Sequence, residues 1–560
     1  MQNAVSLSIG ALACRVSALL LAGGLAAQTT FFVDANAAPP GNGSAGSPFP
    51  VIASALAVAN TGDTVRVFPG TYIETLQLIN KSVDLESIAG PDVTIIDGGA
   101  AGTVLEIAGW AAPVNPHVTG FTLTNGNGQI STLSRGTGGL DINQANVTLT
   151  DCNIVNNVAG LGSTGGIRSS GGNLTMVRCE VRDNIGGDTP ATKNGLLGRG
   201  GTGGVRFQGL TPTNPVSLTM TDCLIRGNRG GSGANWIFWG GVGGAGGLDV
   251  WSSGTGPTPS SLTNCRVVDN TGGDGDAIGG SGGLNAERAG VRLLHCTVAG
   301  NTGGTSVTLG AGGLRVAFLG AFADVTNSIL WGNATAPGAA SQIEVVSSTA
   351  TVSFSDIEGG YAGTGNLQLD PAFRDAANGD YRLTASSPCM DAGDSTVPDL
   401  PATDFEGDPR LVAGDVDMGV DEACLLGTDE GFSLKSLVNG LGNAESCRKV
   451  VAPGGVVELT IPPPAAALVG KVGIGFLQFY ATGTPGPAAP LGLATLHVNP
   501  TGPQTIYYSI APISAAGSSL TTQIPALLSG VTIRVQYVAI STTANNGVFA
   551  ATSAHDIEIL

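Results

Sequence analysis

The chain has 560 residues, of which 88 are glycine and only 12% are charged, although 42% are hydrophobic. Disordered chains combine low hydrophobicity with high charge, and collagen needs glycine at every third residue, so the composition excludes both classes. Asp and Glu outnumber Lys and Arg by 42 to 24, which gives a formal net charge of −18. No basic cluster occurs in the sequence, so nucleic acid and anionic membranes are excluded as partners.

The N-terminus has the pattern of an export signal. Arg15 precedes the apolar run 16–21, and small residues between 23 and 27 offer a cleavage site before Gln28. The run is too short to span a membrane, and no later segment reaches about 18 uninterrupted apolar residues. We therefore expect residues 1–27 to be a signal peptide, no transmembrane segment, and a mature protein that is secreted or lies at the cell surface.

A short helix is predicted near the start of the mature chain. Ile52, Leu56 and Ala59 follow one another at helical spacing and give the segment one apolar face. Repeats follow this segment, and the open end of a stack of repeats exposes apolar surface and strand edges. We expect the helix to cover that end.

Six repeats occupy residues 138–333. Each begins with Gly-Gly and an aliphatic residue and continues in alternating apolar and polar residues. Near its end each has a cysteine, or a serine in the sixth copy, followed five residues later by an asparagine. The cysteine positions are Cys152, Cys179, Cys223, Cys265 and Cys296, with Ser328 in the sixth copy. The asparagines are Asn157, Asn184, Asn228, Asn270, Asn301 and Asn333.

The alternation within each repeat predicts three short strands. In the first copy its phase slips between Leu149 and Cys152, and such a slip marks a corner between strands. Three strands and three corners make one coil, and stacked coils place equivalent residues about 4.8 Å apart. We predict a β-solenoid in which the asparagines bond from coil to coil and the repeat cysteines fill the interior as free thiols.

These repeats resemble those of right-handed parallel β-helix proteins of the pectate-lyase-like superfold, as found in bacterial surface and secreted proteins. The opening FFVDANAAPPGNG of segment 31–74 resembles the start of such proteins, and NGDYRLTASSPCMDAGD within 378–422 resembles the module called choice-of-anchor Q, associated with surface attachment. The resemblance implies an all-β fold and an exported context, and it specifies no reaction. We predict a β-helix with an N-terminal cap over 28–388 and an acidic closing segment over 389–425.

The repeat is absent beyond residue 425, and strand-like runs separated by Pro and Gly turns take its place. We predict an antiparallel β-sandwich over 426–560. Cys424 and Cys447 lie 23 residues apart at its start and are predicted to form a disulfide, with Cys389 single or an alternative partner.

The strand after each Gly-Gly offers a candidate ligand-binding face. Its outward column carries Asp141, Arg168, Arg206, Asp249, Asn285 and Arg315. We expect exposed side chains, ion pairs from Asp141 to Arg168 and from Arg206 to Asp249, and a like-charge contact between the two arginines that an acidic sugar or a loop carboxylate relieves. The alternative is a charge ladder without function.

Aromatic residues lie next to this column. Trp236 and Trp239 belong to a glycine-rich insert, and Trp251 follows on the adjacent strand. Flat exposed rings beside polar groups suit sugar faces, so we predict that they line the same groove. The alternative is that the insert folds over its own aromatics.

A second candidate site lies in the acidic stretch. Its aspartates alternate with Gly-rich turns and could give calcium an all-oxygen coordination, although their spacing matches no defined loop. The candidate ligands are Asp391, Asp394, Asp404, Asp408, Asp415 and Asp417. The alternative is a solvated acidic surface.

Taken together, these patterns predict an exported, monomeric scaffold that binds a polysaccharide or a cell-surface glycan. Calcium is the one cofactor that the sequence suggests. The alternative function is a lyase or glycoside hydrolase acting on an acidic polysaccharide, but none of the familiar hydrolase motifs is present and the four histidines are scattered.

Overall fold

Each repeat supplies one short strand to each of three parallel sheets, which together form a right-handed β-helix between residues 30 and 357. The computed structural model describes residues 28–111, 113–128, 136–189, 198–209, 216–234, 241–252, 259–306, 310–318, 320–336, 338–339, 341–384, 386–411, 416–423, 434–439, 447–464, 466–481, 504–525, 528–541, 549–552 and 554–560. The predicted signal peptide lies outside these residues.

In the described part of the chain, sheet A has 11 strands: β1 (Thr30–Val33), β2 (Thr64–Val67), β5 (Asp84–Ser87), β8 (His117–Thr119), β11 (Val147–Thr150), β14 (Leu174–Val177), β17 (Leu218–Thr221), β20 (Pro259–Thr263), β23 (Gly290–Leu294), β26 (Phe322–Thr326) and β29 (Thr349–Ser353). Sheet B has nine: β4 (Leu76–Ile79), β7 (Leu105–Ala108), β10 (Leu140–Asn143), β13 (Ile167–Ser170), β16 (Val205–Gly209), β19 (Leu248–Ser252), β22 (Leu284–Glu287), β25 (Leu314–Ala317) and β28 (Ile343–Val346). Sheet C has ten: β3 (Gly70–Ile73), β6 (Thr94–Asp97), β9 (Thr122–Thr124), β12 (Asn153–Val155), β15 (Glu180–Arg182), β18 (Leu224–Arg226), β21 (Arg266–Val268), β24 (Thr297–Ala299), β27 (Ile329–Trp331) and β30 (Asp356–Ile357).

A helix closes the N-terminal end of the β-helix, as predicted. Helix α1 (Ile52–Val58) buries Ile52, Ala55 and Leu56 against the core. Both carboxylate oxygens of Glu74 accept hydrogen bonds from the first backbone N–H groups of the helix, at 2.8 and 2.9 Å. These bonds satisfy donors that have no partner within a helix.

The interior of the β-helix follows the predicted columns. The five repeat cysteines are buried and free, which confirms the thiol prediction. The asparagine column is fully buried, and its side chains form a continuous ladder. The Nδ2 of Asn228 donates to Oδ1 of Asn270 (3.0 Å) and to the carbonyl of Val181 on the preceding coil (2.8 Å). The ladder thus satisfies corner groups that would otherwise be buried without partners.

The stacked strands end at residue 357, so segment 358–388, which the prediction assigned to the β-helix, lies outside the three sheets. Tyr361 packs against the end of the core, and Asn366 donates to the carbonyl of Val352 at 3.1 Å. A hairpin of β31 (Phe373–Asp375) and β32 (Asp380–Leu383) follows, with a 3-10 turn at Ala376–Asn378 between them.

The C-terminal part is a β-sandwich. In its described residues, one sheet holds β33 (Lys435–Val438), β35 (Val456–Ile461) and β38 (Ser518–Gln523). The other holds β34 (Arg448–Val451), β36 (Val472–Ala481), β37 (Thr505–Pro512), β39 (Val531–Ile540), β40 (Phe549–Ala551) and β41 (His555–Ile559), and a 3-10 turn lies at Ala466–Leu468. The pairing is antiparallel as predicted, except that β34 and β41 run parallel. A shared apolar core joins the two sheets through residues such as Leu459 and Val535.

Among the described residues, no helix has both the length and the apolar character needed to cross a membrane.

Candidate functional site

The outward column of sheet B has the register that the repeats predict. Adjacent strands pair Asp141 with Arg168, Arg168 with Arg206, and Arg206 with Asp249. The column continues through Asn285 to Arg315, Glu344 being the next residue along. The sheet therefore sets acidic and basic side chains one strand apart along the β-helix.

Both predicted ion pairs are present, but their burial differs from the prediction. Arg168 lies 3.3 Å from Asp141, and Arg206 lies 3.7 Å from Asp249. Asp141, Arg168 and Asp249 are buried rather than exposed. Residues that precede the strands contact two of them: Thr137 donates to Asp141 at 2.6 Å, and Arg199 lies 3.3 Å from Asp249. At the far end, Arg315 is also buried and lies 3.1 Å from Glu344.

Arg199, which the sequence reasoning missed, reaches this face from an insert. Its guanidinium contacts Glu287 at 2.9 Å and Asp249 at 3.3 Å. Thr202 on the same insert donates to Asp249 at 3.3 Å. The insert has no strand periodicity, so nothing in its pattern indicated where Arg199 would lie.

The inserts form a wall beside sheet B because glycine lets their backbones approach closely. The N–H of Gly231 donates to the carbonyl of Gly201 (2.8 Å), and the N–H of Gly244 donates to the carbonyl of Gly231 (2.9 Å). A Cβ at Gly231 would overlap the carbonyl of Gly187, and one at Gly244 would overlap the carbonyl of Gly201. Any larger residue would push the inserts apart.

A small cleft lies between this wall and the sheet. Its volume is about 110 Å³, and polar side chains of Arg199, Glu287 and Arg315 line it together with Phe318. A water molecule occupies about 30 Å³, so the cleft has room for a few waters or for one charged substituent of a ligand.

Arg206 has an unusual environment within this face. Burial, together with the nearby charges of Arg199 and Arg168, lowers the pKa of Arg206 to about 10, although Asp249 opposes the shift. Its Nε is buried without a hydrogen-bond partner, and 16% of its side chain is exposed. The guanidinium stays charged at neutral pH but is poorly compensated.

Asp249 is held as an anion. Burial raises the pKa of Asp249, but Arg199 and Arg206 outweigh burial and lower it below its usual range. Hydrogen bonds from Asn285 (2.8 Å) and Thr202 (3.3 Å) favour the same charged form. Asp249 therefore carries no proton to donate at neutral pH.

Of the three predicted aromatics, the structure describes one. Trp251 is half-buried on β19, next to Gln208 and Glu287 in the neighbouring strands. Trp236 and Trp239 lie outside the described residues.

The described residues of 370–423 pack along the side of sheet C; this range overlaps most of the predicted acidic segment and is called the closing segment from here on. Arg410 is fully buried, and its Nη2 donates to Oδ1 of Asn264 (2.7 Å) and to the carbonyl of Val420 (2.8 Å). Arg266 of β21 lies 2.7 Å from Glu406 and stacks on the ring of Phe405 at 3.8 Å. This acidic segment is therefore docked on the coils rather than solvated.

The six predicted calcium ligands are spread over this segment. Asp391 is exposed, and Asp415 lies outside the described residues. Asp394 uses Oδ1 to accept the N–H of Thr396 at 2.9 Å. Asp408 is buried and accepts the N–H of Cys447 at 3.2 Å.

Two further predicted ligands are buried where the segment folds on itself. Both oxygens of Asp417 accept backbone N–H groups, from Asp391 and Ala423, at 2.7 Å each. Asp404 accepts the N–H groups of Asp408 (2.7 Å) and Glu422 (2.9 Å). These carboxylates stabilise turns of the segment.

One group of carboxylates converges in the described part of the chain. Oxygens of Asp404, Glu406 and Asp421 lie within 4.8 Å of one another, and all three residues are buried. Burial and the charge of Glu406 raise the pKa of Asp421 to about 7, and burial and the same neighbour raise that of Asp404 well above its usual range. Glu406 and Asp421 are absent from the predicted set, because no spacing rule links residues 15 apart.

Cys447 is disulfide-bonded. Its predicted partner, Cys424, lies outside the described residues, so that pairing stays a prediction. Cys389 is buried and free, and its thiol donates to Asp356 at 3.2 Å, which excludes it as the alternative partner.

No model of a known protein family and no curated protein matches the sequence. Among solved structures, a pectate lyase is 16% identical with a TM-score of 0.35, over 71% of this chain and 97% of its own. A pectin methylesterase from Erwinia chrysanthemi is 15% identical with a TM-score of 0.25, over 66% and 98%. A rhamnogalacturonan lyase is 14% identical with a TM-score of 0.32, over 62% and 90%. At these values no activity carries over, and the fold rests on the chain's own strand register.

Proposed function

We propose that the protein is an exported β-helix scaffold that binds an acidic polysaccharide or cell-surface glycan on the sheet B face. The observation that carries this proposal is the state of Arg206. Its one described ionic contact is the 3.7 Å approach to Asp249, and its Nε is buried without a hydrogen-bond partner. A guanidinium in this state can form short, charge-assisted hydrogen bonds with a carboxylate.

The neighbouring charges favour an anion at the same point. Arg168 lies one strand before Arg206, and Arg199 contributes a third guanidinium from the wall. Like charges this close repel one another, and a sugar carboxylate between them would relieve that repulsion. A neutral sugar would not.

The surroundings of Arg206 suit a chain-like ligand. Sheet B is a rigid platform of parallel strands, and the glycine-rich inserts form a wall along it. Trp251, half-buried on the same face, offers a ring on which a sugar can stack. A rigid platform with one wall and a few convergent polar groups is a common form of ligand site.

The chemistry of the face favours binding over cleavage. Asp141, Asp249 and Glu287 each contact an arginine, so these carboxylates are poorly placed to donate or accept a proton during a reaction. The described histidines lie elsewhere: His117 on sheet A, His295 at a buried corner and His555 in the sandwich. We therefore expect acidic polysaccharides, incubated with and without calcium, to release neither unsaturated uronate nor reducing ends.

The test is the affinity of the full chain for oligogalacturonate, measured by titration calorimetry, in the parent and in the variant Arg206→Ala. Loss of a charge-assisted contact costs about 1.5–3 kcal/mol, so the variant should bind about 10- to 100-fold more weakly. Arg178→Ala is the matched control, because Arg178 pairs with Asp151 at 2.7 Å on an exposed corner away from sheet B.

The parent and Arg178→Ala should bind with equal affinity. Equal affinity of Arg206→Ala and the parent would show that the anion does not bind at Arg206, and no binding by the parent would remove the proposed ligand class.

A further inference from the structure

We propose that Asp404, Glu406 and Asp421 bind one calcium ion where the closing segment meets sheet C. The site is independent of the sheet B face, because it lies against Arg266 of sheet C and uses other residues. Its consequence would be a closing segment that is held more firmly when the ion is bound.

The spacing of the three carboxylates suits a single calcium ion. Their nearest oxygens lie within 4.8 Å of one another. Calcium binds oxygen ligands at about 2.3–2.6 Å, so two ligands on opposite sides of the ion are about 5 Å apart and adjacent ligands are closer. One ion between Asp404, Glu406 and Asp421 can therefore reach all three without a change of backbone.

One carboxylate oxygen of Glu406 lacks a hydrogen-bond partner, which is an independent observation that points to a cation. Glu406 is 8% exposed, and its Oε1 accepts a hydrogen bond from the guanidinium of Arg266 at 2.7 Å. Its Oε2 is buried and has no hydrogen-bond partner. A buried carboxylate oxygen without a partner is costly, and a cation at this point would remove that cost.

Several buried acidic side chains surround the proposed site. Among the described residues of the closing segment, six acidic residues are buried: Asp404, Glu406, Asp408, Asp417, Asp421 and Glu422. Arg410 of the segment lies 3.6 Å from Glu422, and Arg266 of β21 lies 2.7 Å from Glu406. The charge of Glu406 repels those of Asp404 and Asp421, and a divalent cation between the three carboxylates would offset that repulsion.

The ion would tie together parts of the closing segment that are distant in sequence. Asp404 and Glu406 belong to one turn, and Asp421 lies 15 residues further on, where its Oδ2 accepts the N–H of Leu383 at 2.8 Å. Arg266 joins Glu406 to the coils. The ion would therefore link β32, two turns and sheet C.

The test uses the full chain after removal of metal with EDTA, titrated with calcium chloride and followed by calorimetry and by the melting temperature. We expect one calcium per chain, a dissociation constant of about 10⁻⁴–10⁻³ M, as in extracellular modules, and a rise in melting temperature on saturation. Glu406→Gln and Asp421→Asn should each lose at least about tenfold in affinity.

Asp391→Asn is the matched control, because Asp391 lies in the same segment but is exposed. It should bind calcium as the parent does. The proposal is overturned if the stripped parent binds no calcium, if both Glu406→Gln and Asp421→Asn bind it unchanged, or if Asp391→Asn loses it equally.

Hydrogen exchange of the parent, with and without calcium, tests the location without any substitution. Among the described residues, protection by calcium should be confined to 380–384, 402–411 and 416–423. Protection confined to other parts of the chain would contradict the proposed site.

Discussion

The residue before each interior cysteine or serine adopts a left-handed backbone, which turns the chain from sheet A into sheet C. The six residues have φ between 49° and 53°: Asp151, Arg178, Asp222, Asn264, His295 and Asn327. Asn and Asp tolerate this region better than other non-glycine residues, so the column is rich in them. Three members of the column, Asn264, His295 and Asn327, are fully buried beneath the closing segment, and His295 is the one among them with a titratable side chain.

The environment of His295 favours its neutral form. Burial, assisted by the charge of Arg410, lowers the pKa of His295 to about 2, although the carbonyls of Asp417 and Gly419 oppose the shift. Its Nε2 lies 3.0 Å from the side-chain amide of Asn327. In the unfolded chain the pKa returns to about 6.5, so below that pH the unfolded state binds a proton that the folded state does not.

We predict that His295→Asn makes the protein less sensitive to acid. Between pH 7 and 5.5 the parent should lose about 1 kcal/mol of stability through His295, since stability is full above pH 6.5 and falls as the pH drops. Asn suits the left-handed backbone, as Asn264 and Asn327 show. Urea unfolding at a series of pH values measures the difference between the two proteins.

That difference matters because other groups titrate in the opposite direction. Burial raises the pKa of Asp417 to about 6 and that of Glu422 to about 8. Their contributions to the free energy of unfolding therefore become more favourable to the folded state as the pH falls. Both proteins share these groups, and the gap between the two curves isolates His295. Parallel curves from pH 7 to 5.5 would contradict the prediction.

At the scale of elements, the repeat predicted the strands well. Alternation and the fixed cysteine and asparagine positions determine which residues face the core, because a slip of one residue would turn every side chain to the other face. The predicted pairings of Asp141 with Arg168 and of Arg206 with Asp249 follow from that register. This part of the candidate site could therefore be predicted from the sequence.

The conformation of the inserts could not be predicted from the sequence in the same way. Glycine permits many backbone conformations, so a glycine-rich pattern does not specify one. The wall forms through backbone hydrogen bonds between the inserts, such as those at Gly201, Gly231 and Gly244. The pattern of side chains in the sequence does not predict such bonds. The position of Arg199 next to Asp249 and Glu287 depends on that wall, so it could not be predicted from the sequence.

We predict that Gly231→Ala disrupts the wall. The new Cβ would overlap the carbonyl of Gly187, and forcing an extra methyl group into tight packing costs about 1–3 kcal/mol. The melting temperature should fall. The affinity for oligogalacturonate should fall as well, because Arg199 lies in the insert whose Gly201 bonds to Gly231. Differential scanning calorimetry and titration calorimetry measure the two effects.

Gly46→Ala is the control for this substitution, because a Cβ at Gly46 meets no atom within 4 Å. Its melting temperature and affinity should equal those of the parent. If Gly231→Ala behaved like Gly46→Ala, the close backbone approach in the wall would be unimportant for stability.

At the scale of the whole molecule, the closing segment contacts both the β-helix and the C-terminal sandwich, which the sequence analysis predicted as separate domains. Its resemblance to an anchor module indicated an acidic terminal element but not the surface on which it lies. The segment docks on sheet C through Arg410 and Asn264, which are 146 residues apart, and reaches the sandwich through Asp408 and Cys447. Such contacts depend on side chains with no periodic signal, so the sequence could not predict them.

Arg410 is the residue on which this docking most depends. Its guanidinium bonds Asn264 and the carbonyls of Gly419 and Val420, and it lies 3.6 Å from Glu422. Replacement by Met keeps much of the volume but leaves these buried partners unsatisfied. Removing one partner of a buried ion pair costs about 3–5 kcal/mol, whereas an exposed pair contributes less than about 1 kcal/mol.

We predict that Arg410→Met releases the closing segment from the coils. Limited proteolysis should cut the variant within residues 370–423 much faster than the parent, and its unfolding midpoint in urea should fall. Arg292→Met is the control, because Arg292 lies 3.3 Å from Asp324 on an exposed surface. Equal cleavage rates for the two variants would mean that the buried guanidinium does not hold the segment, and that apolar packing around Met418 and Leu383 holds it instead.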